Sequence, residues 1–418
     1  MVIQSMAASH AAGKGSEPDS VFAVVAKVRA AKQQPGAETI VDGSIGAIHD
    51  EKGNFSVLPS VHQSLCQMSP DELMNYATIT GSPEFLQSAI DYTFQGFQPP
   101  DAIAKAVGTP GGTGAVRLMI YNYLNNGEAV LIPDWHWAPY ETIAQENQRI
   151  AKTYEMFDEN LQFTTKDIKA KVKEVLAKQD NLLIIFNTPG HNPTGYSLSL
   201  DDWADLIPFF KECAQDTTKH IVIGLDMAYV DYCGDAKEAR RFLGMFADLP
   251  ENMMVLIAFS MSKSFLVYGM RSGALIGFST SQAVMQDFSN INSFSGRGIW
   301  SNGNRGAQQL LVRINHDAEL AATVDAQRAE LAQLVSDRAA IFVKEAAAVD
   351  LKILPYFGGF FITIPTKDPK ALLEKLEAKG IFLVPMGKGV RLAVCAVPKT
   401  KIPGLAARIK EELQTLEV

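Results

Sequence analysis

Cysteine is scarce in this 418-residue chain: Cys66, Cys213, Cys233 and Cys395 stand far apart, with no Cys-X-X-Cys pair. That spacing argues against a disulfide framework and a thiolate metal cluster, so no metal is expected, and it suits a reducing cytoplasm. Positive charge is also in short supply, with 38 Lys and Arg against 46 Asp and Glu and a net charge of −8. Nothing in that balance favours a nucleic-acid partner. No apolar run approaches the roughly 18–20 residues needed to cross a bilayer, so no membrane partner is expected. Internal repeats and long low-complexity tracts are missing. Residues 1–20 mix small and polar side chains and lack the apolar centre of a secretion signal, so they read as a poorly ordered arm.

What is present is the composition of a soluble globular protein, 47% apolar and 20% charged. The length exceeds one ordinary core, so a large and a small domain are expected. From about Met68 to Gly306 short apolar runs alternate with helical patterns, for example Ala129 to Ile132, Leu182 to Phe186, Ile221 to Leu225 and Met253 to Phe259. Such alternation predicts an α/β fold, a mainly parallel sheet between helices. A long helical stretch follows over Asp317 to Val349. Beyond it, Ile353-Leu354, Phe360 to Ile364, Phe382 to Val384 and Val390 to Val394 read as strands. Helices over Pro369 to Lys379 and Pro403 to Leu416 interleave with them, the pattern of a smaller α+β domain. The expected division is an arm over 1–20, an N-terminal part of the small domain over 21–55, a large domain over 56–320 and the rest of the small domain over 321–418.

The most informative stretch is Phe259-Ser260-Met261-Ser262-Lys263, with Arg271 eight residues on. It follows a buried strand, so two hydroxyls and an amine arrive at the strand's carboxyl end, where open α/β sheets bind ligands. Arg271 adds a planar cation suited to phosphate. Together these groups suit a phosphorylated carbonyl compound held as a Schiff base, and pyridoxal 5′-phosphate (PLP) is the candidate. Alone, such a lysine is more often a solvated loop charge.

Four other strand exits add to it. Gly108 to Ala115 is a glycine-rich turn entering a helix, which can bring backbone N–H groups to an anion. Pro133-Asp134-Trp135-His136-Trp137 offers an aromatic ring to lie on a flat cofactor, although such a tryptophan is more often core or rim. Asn187 to Gly195 is turn-forming, with Asn192 able to donate to a phenolate oxygen and His191 given no role. Asp226-Met227-Ala228-Tyr229 ends a buried strand in a carboxylate, which is costly unless a cation meets it; a protonated pyridine nitrogen is such a cation. Tyr229 would reach the ring oxygen.

With these motifs in this order, the chain resembles the fold-type I PLP-dependent aminotransferases of class I/II, closest to the aspartate and aromatic amino acid branch. The resemblance runs from about Gly46 to Arg391 and rests on Asn192-Pro193-Thr194-Gly195, Asp226-X-X-Tyr229, Ser260-X-Ser262-Lys263 and Arg271. It implies a seven-stranded, mainly parallel sheet in the large domain. It implies that Lys263 holds PLP as a Schiff base and acts as general base, that Asp226 pairs with the pyridine nitrogen, and that Asn192 and Tyr229 bind the ring oxygen. Trp135 would stack on the ring, and Gly112, Thr113, Ser260, Ser262 and Arg271 would hold the phosphate. Tyr76 would reach the phosphate of a neighbouring subunit, making a homodimer with shared sites. Arg391 would take the substrate carboxylate, Gly46 would close over it, and Arg297, in a loop-like setting, would read a substrate side chain across the dimer.

The implied activity is ping-pong transfer of an amino group between an L-amino acid, dicarboxylic or aromatic, and a 2-oxo acid. A lyase or decarboxylase on the same fold uses the same cofactor contacts and stays open; a regulatory protein is disfavoured because too few residues precede the fold for a DNA-binding module. Departures from the aspartate branch gather on the substrate side: Ala138 where a histidine is usual, Trp137 and Trp300 as added bulk, Ser272 after the phosphate arginine, and Gly303-Asn304 for a proline pair.

Overall fold

The computed structural model describes residues 6–16 and 20–416. Residues 1–5 and 17–19 of the expected arm lie outside the described residues; within the arm, Lys14 meets Glu146 at 3.3 Å.

After a short first strand, β1 (Val41–Asp42), seven strands form the main sheet. They are β2 (Ile103–Thr109), β3 (Ala129–Pro133), β4 (Ile150–Tyr154), β5 (Asn181–Asn187), β6 (His220–Asp226), β7 (Met253–Ser260) and β8 (Gly273–Ser279), in the spatial order β2-β8-β7-β6-β5-β3-β4. β8 runs antiparallel to both β2 and β7, and the remaining pairings are parallel. The mainly parallel seven-stranded α/β sheet is therefore the observed fold.

The apolar runs follow from burial on both faces. In β5, Leu182, Ile184 and Phe186 face one apolar cluster, while Leu183 and Ile185 face another. Successive side chains of a strand point to opposite faces, so a strand covered by helices on both sides needs apolar residues throughout. β7 is buried along its whole length.

Strand register sets the ligand edge. Asn187 pairs with Asp226, and Asp226 with Ala258, which brings the carboxyl ends of three strands level. β8 enters the sheet at that same edge, with Gly273 opposite both Thr109 and Ser260. Arg271 therefore reaches the ligand edge from the amino-terminal side of its strand.

A second, smaller layer contains β9 (Phe361–Pro365), β11 (Val384–Met386) and β12 (Gly389–Ala393) in an antiparallel sheet. β1 pairs in parallel with β10 (Ile381–Phe382), and the helix Ser20–Ala31 buries Val24 and Val28 against Ile40 and Phe382. The long helix Ala318–Ala348 precedes this layer; Asp317 caps it by accepting from the N–H groups of Glu319 and Leu320.

Three sequence expectations are corrected. Ile353-Leu354 is not a strand, although the Leu354 N–H donates to Thr363 O at 2.9 Å. The run Phe382 to Val384 is divided at Leu383, because β10 pairs with β1 whereas β11 pairs with β12. Arg297 lies in the helix Gln282–Ile299, not in a loop. Burial of Ser295 and Gly296, with the Ser295 hydroxyl donating to Asn122 Oδ1 at 2.8 Å, outweighs the low helix propensity of the local glycines.

The close approach of β8 to its neighbours depends on Gly273. A Cβ there would stand 2.3 Å from Phe259 O and 3.0 Å from the Gly111 carbonyl carbon. Gly273→Ala is expected to lower the unfolding free energy by about 1–3 kcal/mol through overpacking, read as a lower urea midpoint. An unchanged midpoint would contradict this packing.

Candidate active site

The levelled strand ends surround a cavity of about 170 Å³ lined by Gly112, Thr113, Trp137, Asn187, Asn192, Asp226, Ala228, Tyr229, Ser260, Ser262, Lys263 and Arg271. At one end is an anion cup. Gly111 has φ +71° and opens the helix Gly111–Asn122, whose amino terminus carries Gly112 and Thr113. A Cβ at Gly111 would meet the Arg271 Nη2 at 2.9 Å, so glycine is what lets the guanidinium close against the turn. Arg271 donates to the Ser262 hydroxyl at 3.3 Å and to Tyr268 O at 3.0 Å. The Ser260 hydroxyl accepts from the Ser262 N–H at 3.3 Å. Backbone dipole, two hydroxyls and a guanidinium make a phosphate-binding set.

At the other end is Asp226. Burial pushes its carboxyl above the usual range, while the Tyr140 hydroxyl, the Ala228 N–H and the Lys263 charge pull it back. The Tyr140 hydroxyl donates to Asp226 Oδ2 at 2.6 Å, and Asn187 donates to the Asp226 carbonyl at 2.7 Å. A buried carboxylate in that state favours a protonated heterocyclic nitrogen as partner. Lys263 is shifted the opposite way. Burial first, then the Arg271 and Arg391 charges, bring its pKa down to about 8 against the opposing pull of Cys395 and Asp226. Its Nζ lies 4.7 Å from the Tyr268 ring centroid and 5.9 Å from that of Tyr229.

Asn192 joins two parts of the site. Its side-chain oxygen accepts from Arg391 at 3.0 Å, and its amide nitrogen donates to the Tyr229 hydroxyl at 3.5 Å. Arg391, from β12, also donates to Ser44 O at 3.2 Å and lies 4.2 Å over the Phe361 ring. Gly46 packs onto the same ring, where a Cβ would come within 2.6 Å of Phe361 Cζ. His191 is buried, its Nδ1 2.8 Å from the Thr194 hydroxyl, and burial lowers its pKa to about 3, so it is neutral.

Five expected site residues do not line this cavity; Arg391 adjoins it through its bond to Asn192 and Gly46 sits with it on the Phe361 ring, whereas the other three stand apart. Trp135 is buried among Met156, Phe157, Tyr196 and Leu354 and does not line it; Trp137, two residues on, does. The strand exit turns so that the second indole faces the cavity. Tyr76 and Arg297 are exposed, Tyr76 at 83%, and neither lines the cavity of its own chain. Trp300 packs against the same apolar cluster as Trp137 without lining the cavity.

Sequence reading missed Tyr140, Tyr268 and Asn187. Only Asn187 carried a signal, as the last residue of a run whose neighbour Asp226 had already been singled out. The donor set fits PLP: an anion cup, an amine, a phenol with an amide, an indole and a buried carboxylate occupy one cavity. Tyr140→Phe leaves Asp226 without its side-chain donor. Urea unfolding near neutral pH is expected to show a loss of about 2 kcal/mol, the worth of a hydrogen bond to a charged group.

A model of the family "Aminotransferase class I and II" matches residues 38–409. The aromatic-amino-acid aminotransferase of Paracoccus denitrificans is 24% identical over 406 residues, covering 95% of this chain and 98% of its own. The aspartate aminotransferase of Escherichia coli is 26% identical over 370 residues, with coverage of 86% and 89%. Among solved structures, an aminotransferase from Anaerococcus prevotii is 37% identical with a TM-score of 0.95, covering 98% of this chain and 99% of that one. Neither the lyase nor the regulatory reading is favoured by these likenesses. The family match spans the large sheet and the small layer together, and with that extent the chain belongs to the class I and II aminotransferases, PLP-dependent enzymes that transaminate amino acids.

Proposed function

We propose that this aminotransferase works with Lys263 as its cofactor-holding amine and general base, on dicarboxylic or aromatic L-amino acids and their 2-oxo acids. The observation that carries the assignment is the shared cavity of Lys263 and Asp226, where burial shifts both groups toward their neutral forms while the charge of each opposes the other's shift. When bound, PLP supplies a carbonyl that condenses with amines and a ring that accepts the electron pair left on a deprotonated Cα. Gly112, Thr113, Ser260, Ser262 and Arg271 hold its phosphate. Asp226, steadied by Tyr140, keeps its ring nitrogen protonated. Asn192 and Tyr229 hold its phenolic oxygen, and Trp137 covers its face.

Arg391 grips the substrate carboxylate, since a guanidinium donates two parallel N–H bonds to the two carboxylate oxygens at once. The Asn192 amide, bonded to both Arg391 and Tyr229, sets the substrate end against the ring end. Lys263 Nζ removes and returns the proton at the substrate Cα. A pKa of about 8 leaves part of the amine neutral near physiological pH, as a base there requires. Gly46 stays small so that the Ser44-Ile45-Gly46 turn can lie over Arg391 and Phe361.

The substrate range is inferred from relatives named for aromatic amino acids and for aspartate. We place Tyr76 and Arg297 at the cavity of a second copy. Each lies near an exposed apolar side chain, Met74 and Phe294, both 83% exposed, and apolar surface of that kind suits a covered interface. The proposed organisation is then a homodimer of two-domain subunits, divided at 20/21, 55/56 and 320/321. The free thiols of all four cysteines suit a cytoplasmic enzyme, and among the described residues no helix is long and apolar enough to cross a membrane.

Spectral titration of the PLP-loaded protein with aspartate, glutamate, phenylalanine, tyrosine and alanine tests the reading. A donor is expected to convert the cofactor to its amine form with an equal amount of the matching 2-oxo acid. Pyruvate and ammonia appearing instead would indicate a lyase. Lys263→Ala is expected to abolish turnover while retaining weak PLP binding, and substantial steady-state transamination by that variant would overturn the role of Lys263. Sedimentation should give a dimer, and Phe294→Glu should shift it toward monomer with loss of activity.

A further inference from the structure

Behind the lysine lies a second charged cluster that the transamination steps leave unused. Asp231 and Arg240 meet at 2.7 Å with both side chains almost wholly buried. The other Asp231 oxygen accepts from the Tyr92 hydroxyl at 2.8 Å, and Ser264 also bonds to this carboxylate. Arg328, from the long helix Ala318–Ala348, lies over the rings of Tyr92 at 5.5 Å and Phe265 at 5.8 Å, and its outer nitrogen pairs with Asp325. Burial alone would raise the Asp231 carboxyl; the Arg240 and Arg328 charges and the Ser264 bond reverse that and hold it well below the usual range.

A buried pair of this kind is weak evidence of stability, because the desolvation of both charges offsets their attraction. Where its hydrogen bonds end is more telling. Arg328 Nη1 donates to the Ser264 carbonyl at 3.3 Å, and the Tyr232 hydroxyl donates to the Lys263 carbonyl at 3.0 Å. Both acceptors lie in the four-residue helix Met261–Ser264, which is too short to hold itself by its own hydrogen bonds. Asp231, Tyr232 and Arg328 do not line the cofactor cavity; they line a separate groove of about 600 Å³.

We propose that Asp231, Tyr232 and Arg328 are positioning residues, holding the backbone of Lys263 and Ser264 from outside the cavity so that the lysine amine is aimed into it. This rests on Lys263 being the cofactor-holding amine. Tyr232 acts directly on the lysine carbonyl. Arg328 acts one residue later, and Asp231 orients the Ser264 side chain and offsets the arginine charges. The amine is thereby set in a buried place, and its titration is governed first by that burial and then by Cys395, Arg271, Asp226 and Arg391.

Asp231→Asn leaves Arg240 buried without its charged partner and risks misfolding, so the test uses Tyr232→Phe and Arg328→Lys. Ile168→Val, a core truncation on another helix, serves as a control for stability loss alone. The first measurement is made without cofactor: acetic anhydride labelling of Lys263 across pH, read by mass spectrometry of its peptide. The second is PLP affinity by equilibrium dialysis. Both variants are expected to move the labelling midpoint upward from about 8 as the amine gains water, and to label faster at fixed neutral-amine fraction. PLP binding should weaken about fivefold for Tyr232→Phe, the worth of one net hydrogen bond. Ile168→Val should change neither. A folded Tyr232→Phe whose labelling profile and PLP affinity match those of the unaltered protein would overturn the proposal, as would a control that moves both equally. Borohydride trapping of PLP in the unaltered protein separates the underlying reading: attachment elsewhere than Lys263 sinks both, whereas attachment at Lys263 with indifferent variants sinks the positioning role alone.

Discussion

Asp226 ends β6 level with Asn187 and Ala258, and a carboxylate in that buried place must be met by donors and by positive charge. Much of the site answers this requirement. Tyr140 and the Ala228 N–H satisfy its oxygens, and Asn187 holds the carbonyl of the same residue. Lys263, lining the same cavity from the next strand's exit, has the counterpart problem, an amine that burial drives toward neutrality. Burial thus raises the carboxyl and lowers the amine, each against the pull of the other's charge.

The antiparallel course of β8 is the second decisive feature. If that strand ran parallel to its neighbours, Arg271 would lie at the far edge of the sheet. Because it runs the other way, the guanidinium arrives at the same edge as Ser260 and the glycine turn, and Gly273 gives the clearance for it. The small layer then adds Arg391 through β12, anchored by Asn192 from the large sheet. One amide therefore bridges Arg391 of the small layer and Tyr229 of the large sheet.

Charge is used in two ways around the lysine. Asp226 and Arg271 line the cavity, and Arg391 adjoins it through Asn192. Behind it, Asp231 pairs with Arg240 within the protein, and Arg328 and Tyr232 donate to backbone carbonyls of the lysine segment. Asp226 and Arg271 line one cavity, and Asp231, Tyr232 and Arg328 line a separate groove.

The amino-acid sequence determined the α/β class, the strands that cross the middle of the sheet, and the residues at their ends. Strands buried on both faces must be apolar along their length, and polar residues can appear only where they emerge, so Lys263, Asp226 and Asn192 stand out in the linear text. Short strands at the margin were less legible: the run Phe382 to Val384 serves two different partners, and nothing local says where it divides. Tertiary structure alone decided that Trp137 rather than Trp135 faces the cavity, because a one- or two-residue difference in a turn reverses which side chain points inward. It alone brought Tyr140 to Asp226 and Tyr232 to Lys263, across 86 and 31 residues of chain. A buried tyrosine in a sequence reads only as an apolar residue; its hydroxyl acquires meaning when the fold supplies the acceptor.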